Sequence, residues 1–386
     1  MVGRSSITVT AMAVVVSLSP PATAERDSSE DVRLYGDFRF RLEQDWDSRR
    51  SDGTERSDRA RARIRLRLGA DFRPTDRILL GARLRSGSDL SQQSPHITIV
   101  DFAGGDTGDA DFNLDEWFLK ARSSNRRFSG WVGRDGFPFW KQNELFWDDD
   151  VTLAGMAGSL TQKTGDKGEL AIHAGWFSLP AGMRDFAGEM RALQLVYSAP
   201  IGDVNVTVAG GYFVTEANPA DAAANLLLNG DGVRDYRVLV GNLQAKLQAG
   251  GRALTFGADV LTNREAYSAT DPVPFTVANA GQTDGRVFSA RYGSTSSRGD
   301  WLAGYFYARI EALAVIASYA QDDWVRWGNG PQTRGSNFHG HELRFAYAAS
   351  RHLKVVARLY IVESITTVED GNRFRIDFNF KLGKDR

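Results

Sequence analysis

RARARIRLRL, residues Arg59 to Leu68, alternates five arginines with small or apolar side chains. In a β-strand every second side chain points the same way, so one face of this stretch would carry guanidinium groups and the other hydrocarbon. A helix would instead spread the arginines around its surface and place like charges at i,i+4, where they repel. The alternation therefore predicts a β-strand with one strongly basic face.

The length of this stretch indicates where such a strand could lie. The five arginines would span roughly 26 Å at ~3.3 Å per residue, close to the ~25 Å apolar band of an outer-membrane barrel. A lipid-facing arginine near the bilayer midplane costs roughly 2–4 kcal/mol, so the arginines of a membrane-crossing strand would face a water-filled lumen. The other interpretation, a solvated face of a soluble β-sandwich, is made less favourable by the rest of the chain.

The N-terminus has the features of a secretory signal peptide. Arg4 supplies the positive charge, residues 7–18 form a short apolar core, and Ala22-Thr23-Ala24 is an A-x-A cleavage site. We therefore expect residues 1–24 to be a signal peptide and residues 25–386 to be one exported pore domain.

Composition excludes several classes of function. The chain has no cysteine, which excludes a disulfide framework, a thiolate metal site and a thiol nucleophile. The formal net charge of −1 predicts no nucleic-acid partner. The mean hydropathy of −0.34 is compatible with a transmembrane barrel, because barrel strands are only half apolar.

Segments of about ten alternating residues follow one another along the chain, joined by connections that alternate between short and long. This pattern predicts an all-β fold, a transmembrane antiparallel up-and-down β-barrel of 16–18 strands. Seventeen segments alternate, among them Leu313–Gln321, whereas bacterial barrels have even counts. Counting back from the C-terminus puts the long Asn263–Gly285 stretch on the short-turn side, and a weak strand at about Phe275–Ala280 would repair this and give 18 strands. The short chain favours 16 instead, and we slightly favour 18.

The C-terminal segment strengthens this expectation. Phe374, Ile376, Phe378, Phe380 and Leu382 alternate with charged or polar residues. Such an aromatic-rich final strand resembles the assembly signal of outer-membrane proteins and implies the barrel assembly machinery as a partner. The pattern departs from the usual one, because residues 383–386 follow the strand and no terminal aromatic is present.

Three stretches resemble an outer-membrane barrel family of Gram-negative bacteria, the putative porins. The most specific is Gly133-Arg134-Asp135-Gly136-Phe137-Pro138-Phe139-Trp140 followed by residues 144–150, ELFWDDD. It is similar to the family's G-[RK]-x-x-x-P-F-[WY] strand end and its loop that ends in W-D-x-D. The others are residues 35–41 with the arginine row, and residues 299–301 with Tyr305, Tyr307 and Glu311. The resemblance extends over nearly all of the mature chain and implies a pore-forming barrel without a defined substrate class.

The inward-facing arginines of the first three strands are the leading candidates for pore-lining residues. Guanidinium groups stay charged and bind carboxylates or phosphates bidentately, so a patch of them in a narrow pore would attract anions. The alternative is that they neutralise wall carboxylates such as Asp37, Glu43 and Asp71. The candidates are Arg39, Arg41, Arg59, Arg61, Arg63, Arg65, Arg67, Arg83 and Arg85.

The third outer loop, residues 135–150, is the second candidate. Folded into the lumen, it would place Glu144, Asp148, Asp149 and Asp150 opposite the arginines as a constriction with a transverse field. The alternative is a hydrated loop, or one that binds divalent ions near lipopolysaccharide.

The remaining residues offer little chemistry. His339 and His341 share a strand face with Leu343 and Phe345, which indicates a lipid-facing pair rather than a metal site, since no third ligand is evident. No G-x-S-x-G elbow, Walker loop or dinucleotide fingerprint occurs. We expect no enzyme activity, no catalytic residue, no cofactor and no metal.

The sequence thus predicts a passive outer-membrane porin for small polar, mainly anionic solutes, with outer-membrane lipid and lipopolysaccharide as its surroundings. An exporter of an acidic polysaccharide, a barrel enzyme acting on lipid and a structural adhesion barrel stay open as alternatives. A homotrimer also stays open, because neither an apolar outer patch nor a latching loop can be identified from the sequence.

Overall fold

The computed structural model describes residues 32–105, 107–108, 110–268, 270–326 and 334–383. The predicted signal peptide, residues 1–24, lies outside the described residues. Eighteen strands form one antiparallel sheet that closes on itself. The described strands are β1 Val32–Arg49, β2 Glu55–Arg56, β3 Arg59–Thr75, β4 Ile78–Ser86, β5 Ile97–Asp101, β6 Phe112–Arg122, β7 Phe128–Asp135, β8 Leu153–Thr164, β9 Gly168–Ala181, β10 Asp185–Ile201, β11 Val204–Glu216, β12 Tyr236–Ala249, β13 Arg252–Asn263, β14 Asp284–Gly293, β15 Trp301–Ile310, β16 Phe338–Ala348, β17 Leu353–Ser364 and β18 Asp370–Gly383.

Pairing between the first and last strands closes the barrel. Strand β1 pairs with β18 on one side, with Phe40 opposite Phe378, and with β3 on the other, with Phe40 opposite Ile64. Sixteen strands make the closed wall, and the short strands β2 and β5 bring the total to 18. The predicted antiparallel barrel of 16–18 strands is therefore confirmed.

The two segments that complicated the strand count are not strands. Leu313–Gln321, predicted as a strand, has no strand pairing and is buried on all sides inside the barrel. Phe275–Ala280, predicted as a weak strand, overlaps the short helix α1, Pro274–Asn279, which has proline in its first turn. Two further single turns of 3₁₀ helix lie at Ala222–Leu226 and Leu228–Val233. Among the described residues, no helix is both long and apolar enough to cross a membrane.

All long connections leave one end of the barrel. Short turns join β3 to β4, β6 to β7 and the later pairs at the end that also holds Val32 and Gly383. The 264–283 connection between β13 and β14 lies at the opposite, long-loop end, so the apparent short-turn placement that the extra strand would repair does not arise. The error arose because Leu313–Gln321 was counted as a wall strand.

Side chains alternate between the two faces of the wall as the period of a strand requires. Large apolar residues such as Leu68, Leu193 and Phe288 are exposed on the outer face, at 48%, 52% and 48% of their full accessible area. Buried apolar residues lie inside the barrel instead, where loops fill the lumen. A continuous exposed apolar belt is the surface that a barrel presents to lipid.

Gly133, within the stretch that resembles the porin strand end, permits close packing of neighbouring strands. Its φ is +121°, and a Cβ there would overlap the backbone oxygen of Trp117 on β6. Only glycine avoids both the steric overlap and the backbone strain. The residue thereby fixes how β7 leaves the wall and leads into the third outer loop.

Candidate functional site

The arginine row lies on the inner face of the wall beside a second basic row. In the register of β1 and β3, Arg39 is opposite Arg65 and Arg41 is opposite Arg63. Directly opposed side chains on neighbouring strands lie about 4.5–5.5 Å apart at Cβ. Strand β4 adds Arg83 and Arg85, so the nine predicted residues form one patch inside the barrel.

Most of these arginines are paired with carboxylates on the neighbouring wall. Arg61 bonds Glu43, while Arg65 and Arg67 each lie 2.7 Å from Asp37. The other pairs are Arg41–Asp377 at 2.6 Å, Arg59–Asp101 at 2.8 Å and Arg83–Asp115 at 2.6 Å. Asp71 pairs with Arg33 at 2.7 Å, outside the predicted set. Charge neutralisation at the wall therefore accounts for six of the nine arginines.

Arg39, Arg63 and Arg85 have mainly neutral partners. Arg39 donates to Asn379 Oδ1 at 2.6 Å and lies 3.5 Å from His96 Nε2. Arg63 donates to Ser94 Oγ at 3.1 Å, with its nearest carboxylate, Glu43, 3.9 Å away. Within the described ranges, neither Arg39 nor Arg85 forms an ion pair. Because guanidinium groups stay charged, this part of the patch retains net positive charge.

Strands β4 and β5 form one wall strand that is interrupted by an insertion. Both pair antiparallel with β3. Strand β4 pairs with Arg67–Thr75 and β5 pairs with Arg61–Ile64. The intervening residues 87–96 turn into the lumen, where Gln92 and Gln93 are buried. Arg85 is fully buried and donates to the carbonyl oxygens of Ser91 and Gln92. A wall arginine therefore holds the base of the insertion.

The third outer loop, residues 136–152, folds into the barrel and crosses it. At one end Asp150 lies 2.9 Å from Arg67 and 3.2 Å from Arg65. Towards the other end Gln142 donates to Asp259 Oδ1 on β13 at 2.5 Å. Trp147 between them is 1% exposed. The loop thus connects the basic wall to the opposite wall.

Only one of the four acidic loop candidates meets the arginine patch. Burial disfavours the ionised form of Asp150, but the positive charges of Arg65 and Arg67 outweigh it and hold its pKa well below the usual range. Asp149 is 65% exposed and pairs with Lys141 at 2.5 Å instead.

The other two candidates lie away from the nine arginines, with Asp148 buried and Glu144 half-buried. Asp148 accepts from the backbone N–H of Asp150 at 2.7 Å, and burial together with the charge of Glu144 raises its pKa. Glu144 lies against Gln321, and burial with the charge of Asp149 raises its pKa to about 7. Around neutral pH Glu144 is therefore partly protonated.

A second inward segment, residues 311–326, was missed as a site by sequence reasoning. Its Asp323 bonds Arg375 of β18 and lies 3.6 Å from Arg41 and 3.5 Å from Arg358. Asp322 beside it forms no ion pair with any described residue, and burial and the charge of Asp323 raise its pKa to about 6. The signal in the sequence is the acidic pair Asp322-Asp323 directly after the apolar segment Leu313–Gln321. The interpretation of that segment as a wall strand drew attention away from the pair.

Aromatic packing fills the part of the lumen opposite the arginines. Trp147 stacks on Phe137 at 5.0 Å and on Tyr319 at 5.1 Å, and Phe146 contacts Phe213 of β11 at 4.8 Å. Trp147, Tyr319 and Phe213 belong to one buried apolar cluster that the loops and β8–β17 share, and Phe137 and Phe146 pack against it.

A cavity of about 620 Å³ lies below the third loop. Phe137 and Pro138 of the loop form its ceiling, and inward residues of the short-turn half of the wall, such as Lys120 and Ser159, form its sides. The third loop therefore separates this cavity from the long-loop end of the barrel.

The histidine pair lies on the outer face of the wall. Tyr305 Oη lies 2.8 Å from His341 Nδ1, and His339 lies 3.6 Å from Glu363. In the part of the chain that the structure describes, no group of three or more His, Asp or Glu residues is arranged to hold a metal ion.

The segment that holds the arginine row, Gly133 and the third outer loop matches the model of a known family. Residues 51–189 match the family model described as "Putative porin". The match confirms the resemblance found in the sequence over this part of the chain, which holds both the arginine row and the third outer loop. No curated protein sequence matches the chain.

Solved structures with a similar fold are porins. The high-pH structure of Pseudomonas putida OprB has 12% identity and a TM-score of 0.57, and the alignment covers 92% of this chain and 95% of that one. Salmonella typhi OmpF in complex with daunomycin has 11% identity and a TM-score of 0.52, with 91% and 97% covered. At these identities the similarity shows the fold. Together with the family match, it supports an outer-membrane porin channel and points away from an enzyme.

Proposed function

We propose that this chain is a passive diffusion channel of the outer membrane for small polar, mainly anionic solutes. The observation that carries the proposal is the basic patch of β1, β3 and β4 on the lumen wall, beside the loop that crosses the barrel. Charged walls of low dielectric raise the local concentration of counter-ions and lower their barrier to passage. Solutes would move down their own concentration gradients.

Arg39 and Arg63 supply the anion preference in this proposal. Both contact residues 94–96 at the end of the insertion between β4 and β5, and both side chains are partly exposed. His96 adds no charge, because burial and the nearby arginines hold its pKa well below the usual range. Two guanidinium groups with neutral contacts can exchange those contacts for a passing carboxylate or phosphate.

Two acidic groups of the inward segments lie directly beside the patch and add a local field to it. Asp150 of the third outer loop and Asp323 of residues 311–326 are held ionised by arginines. Their negative charges next to the guanidinium groups make the field in the narrow zone uneven. Such a field favours solutes with a dipole over apolar ones.

The outer surface supports placement in the outer membrane. Exposed Leu84, Leu195, Leu243 and Phe345 belong to the apolar belt of the wall, and a belt of this kind requires lipid. Residues 25–386 would then form one barrel domain, exported by the signal peptide and inserted by the barrel assembly machinery. Homotrimer assembly stays a prediction, which the molar mass of the detergent complex in light scattering checks.

The test compares reversal potentials of channels in planar bilayers across a potassium chloride gradient. Arg39→Gln combined with Arg63→Gln should reduce the chloride-to-potassium permeability ratio, because it removes two guanidinium charges whose hydrogen-bond partners are neutral. Arg59→Gln is the matched control, since Arg59 is 38% exposed at the outer end and paired with Asp101. An unchanged ratio in the double variant would contradict the proposed anion preference.

A further inference from the structure

Four titratable side chains stand in a row on the outer face of the wall, near the long-loop end. In the strand register Arg286 of β14 is opposite Arg309 of β15, Arg309 is opposite His339 of β16, and His339 is opposite Glu363 of β17. All four share the outward parity of Phe288 and Tyr305, which are 48% and 42% exposed. The row therefore lies on the surface that faces outward from the barrel.

Arg286 and Arg309 face each other directly, and only Arg309 has a carboxylate partner among the described residues. Arg286 is exposed and has no polar contact to another described residue. Arg309 reaches Glu311 at 3.4 Å, a long contact between partly exposed groups. Like charges directly opposite each other on neighbouring strands are destabilising. The arrangement is stabilised when an anion lies between the two guanidinium groups.

The height of the row on the wall determines which anion can reach it. Two residues closer to the short-turn end, the same strands carry Phe288, Tyr307, His341 and Ile361 in direct register. Tyrosine and phenylalanine in such a ring belong to the boundary between hydrocarbon and headgroups. Two residues along a strand are roughly 7 Å, so the arginines lie just beyond the hydrocarbon, at the level of lipid headgroups.

We infer that Arg286 and Arg309, with His339 beside them, bind the phosphate of a lipid in the outer leaflet. Guanidinium groups bind phosphate bidentately and are suited to two anionic oxygens at once. Phe288 and Tyr307 below the pair provide an apolar surface for the acyl chains. This site rests on the proposed function, because it requires the long-loop end to face the outside of the outer membrane.

Other outward arginines at the same end are already compensated. Arg191 of β10 lies 3.1 Å from Glu216 and 4.0 Å from Glu189, and Arg237 of β12 lies 2.8 Å from Glu265. Arg286 differs from both, because it has no carboxylate partner among the described residues, and Arg309 beside it has only Glu311. Arg191 is therefore the matched control, being an outward arginine at the same end of the barrel with carboxylate partners.

Native mass spectrometry of the full refolded chain, with purified diphosphoryl lipid A as probe, tests the inference. Arg286→Gln combined with Arg309→Gln should weaken lipid A binding by roughly tenfold or more, since each lost charged hydrogen bond contributes about a factor of ten. Arg191→Gln should bind as the unaltered chain does. Dephosphorylated lipid A should bind the unaltered chain as weakly as the double variant binds the intact lipid.

Two further measurements separate the outcomes. Replacing both arginines by lysine should restore part of the affinity, because the charge returns without the bidentate geometry. Inorganic phosphate should compete only weakly, because it lacks acyl chains for the surface around Phe288 and Tyr307. Equal lipid A binding by the double glutamine variant and by Arg191→Gln would overturn the inference.

Conductance of the same proteins in planar bilayers distinguishes this result from a failure of the proposed function. The double glutamine variant should conduct as the unaltered chain does, because neither side chain faces the lumen. Normal conductance with unchanged lipid A binding would remove the lipid site alone. Absence of conductance in the correctly folded, unaltered chain would remove the porin proposal.

Discussion

Asp150 lies 2.9 Å from Arg67, so the C-terminal end of the third outer loop is joined to the inner wall of the barrel. Asp150 also lies 3.2 Å from Arg65, and both arginines share Asp37 as a second partner. The loop is therefore fixed at the place where the basic patch is densest. This ion-pair network determines how wide the polar zone beside the wall can be.

Replacing Asp150 by asparagine should widen the channel and increase its preference for anions. The change removes one negative charge and leaves Arg65 and Arg67 with Asp37 alone. We expect higher single-channel conductance and a larger chloride-to-potassium permeability ratio in planar bilayers. Asp149→Asn is the control, because Asp149 is 65% exposed and does not touch the patch. Equal effects of both changes would contradict the anchoring role of Asp150.

Anion preference should fall as the pH rises from about 5 to about 8. The pKa of Asp322 is raised to about 6 and that of Glu144 to about 7, each chiefly by burial. Both groups are protonated and neutral at the lower pH, and each adds a negative charge inside the barrel as the pH passes its pKa. Reversal potentials measured at several pH values test this dependence.

The raised pKa of Glu144 also makes the stability of the third outer loop depend on pH. Because the folded-state pKa of Glu144 lies above its ordinary value near 4.5, the folded state holds its proton more tightly, and the loop loses stability as the pH rises through this interval. Glu144→Gln should therefore abolish the upper part of the pH dependence. A pH profile that is unchanged in Glu144→Gln would show that another group titrates.

Deleting residues Lys141–Phe146 should increase single-channel conductance. These residues cross the lumen, with Gln142 bonded to Asp259 and Phe146 packed on Phe213. The wall pairings of β7 and β8 do not involve them, so the barrel should still form. Heat-modifiable migration on gels verifies folding of the variant. Unchanged conductance of the folded variant would show that the loop does not narrow the path.

Arg85→Gln should release the insertion at residues 87–96 while leaving the barrel closed. Arg85 is fully buried and donates to three carbonyl oxygens, those of Ser91, Gln92 and Asp150. Each buried group left without its partner costs about 1–3 kcal/mol. We expect faster proteolytic cleavage within residues 87–96, measured by mass spectrometry. Arg59→Gln is the control and should leave the cleavage rate unchanged.

Wall strands could be predicted from sequence because their chemistry repeats with a period of two. RARARIRLRL and the alternation around Phe378 have one polar and one apolar face, as a strand between lumen and lipid requires. Leu313–Gln321 was misassigned because both of its faces are small or apolar, with Leu313 and Ala314 each fully buried. Such a segment is buried on all sides, which alternation alone does not distinguish from a strand.

The candidate site could be predicted only in part, for a related reason. The inward parity of Arg61 and Arg65 follows from local alternation. The partners do not, because Arg41 meets Asp377 across the closure of the barrel, 336 residues away along the chain. Likewise, the loop anchor at Asp150 depends on how far the third outer loop reaches across the lumen. Closure and loop depth are tertiary properties that no local pattern encodes.

The most direct test of the central claim is the reversal potential of the purified, refolded chain in a planar bilayer across a potassium chloride gradient. The account predicts discrete conductance steps and a reversal potential displaced from zero towards the chloride equilibrium potential. The displacement should be smaller in Arg39→Gln combined with Arg63→Gln. Discrete conductance with cation selectivity would contradict the role of the basic wall. Absence of conductance from a correctly folded barrel would contradict the channel itself.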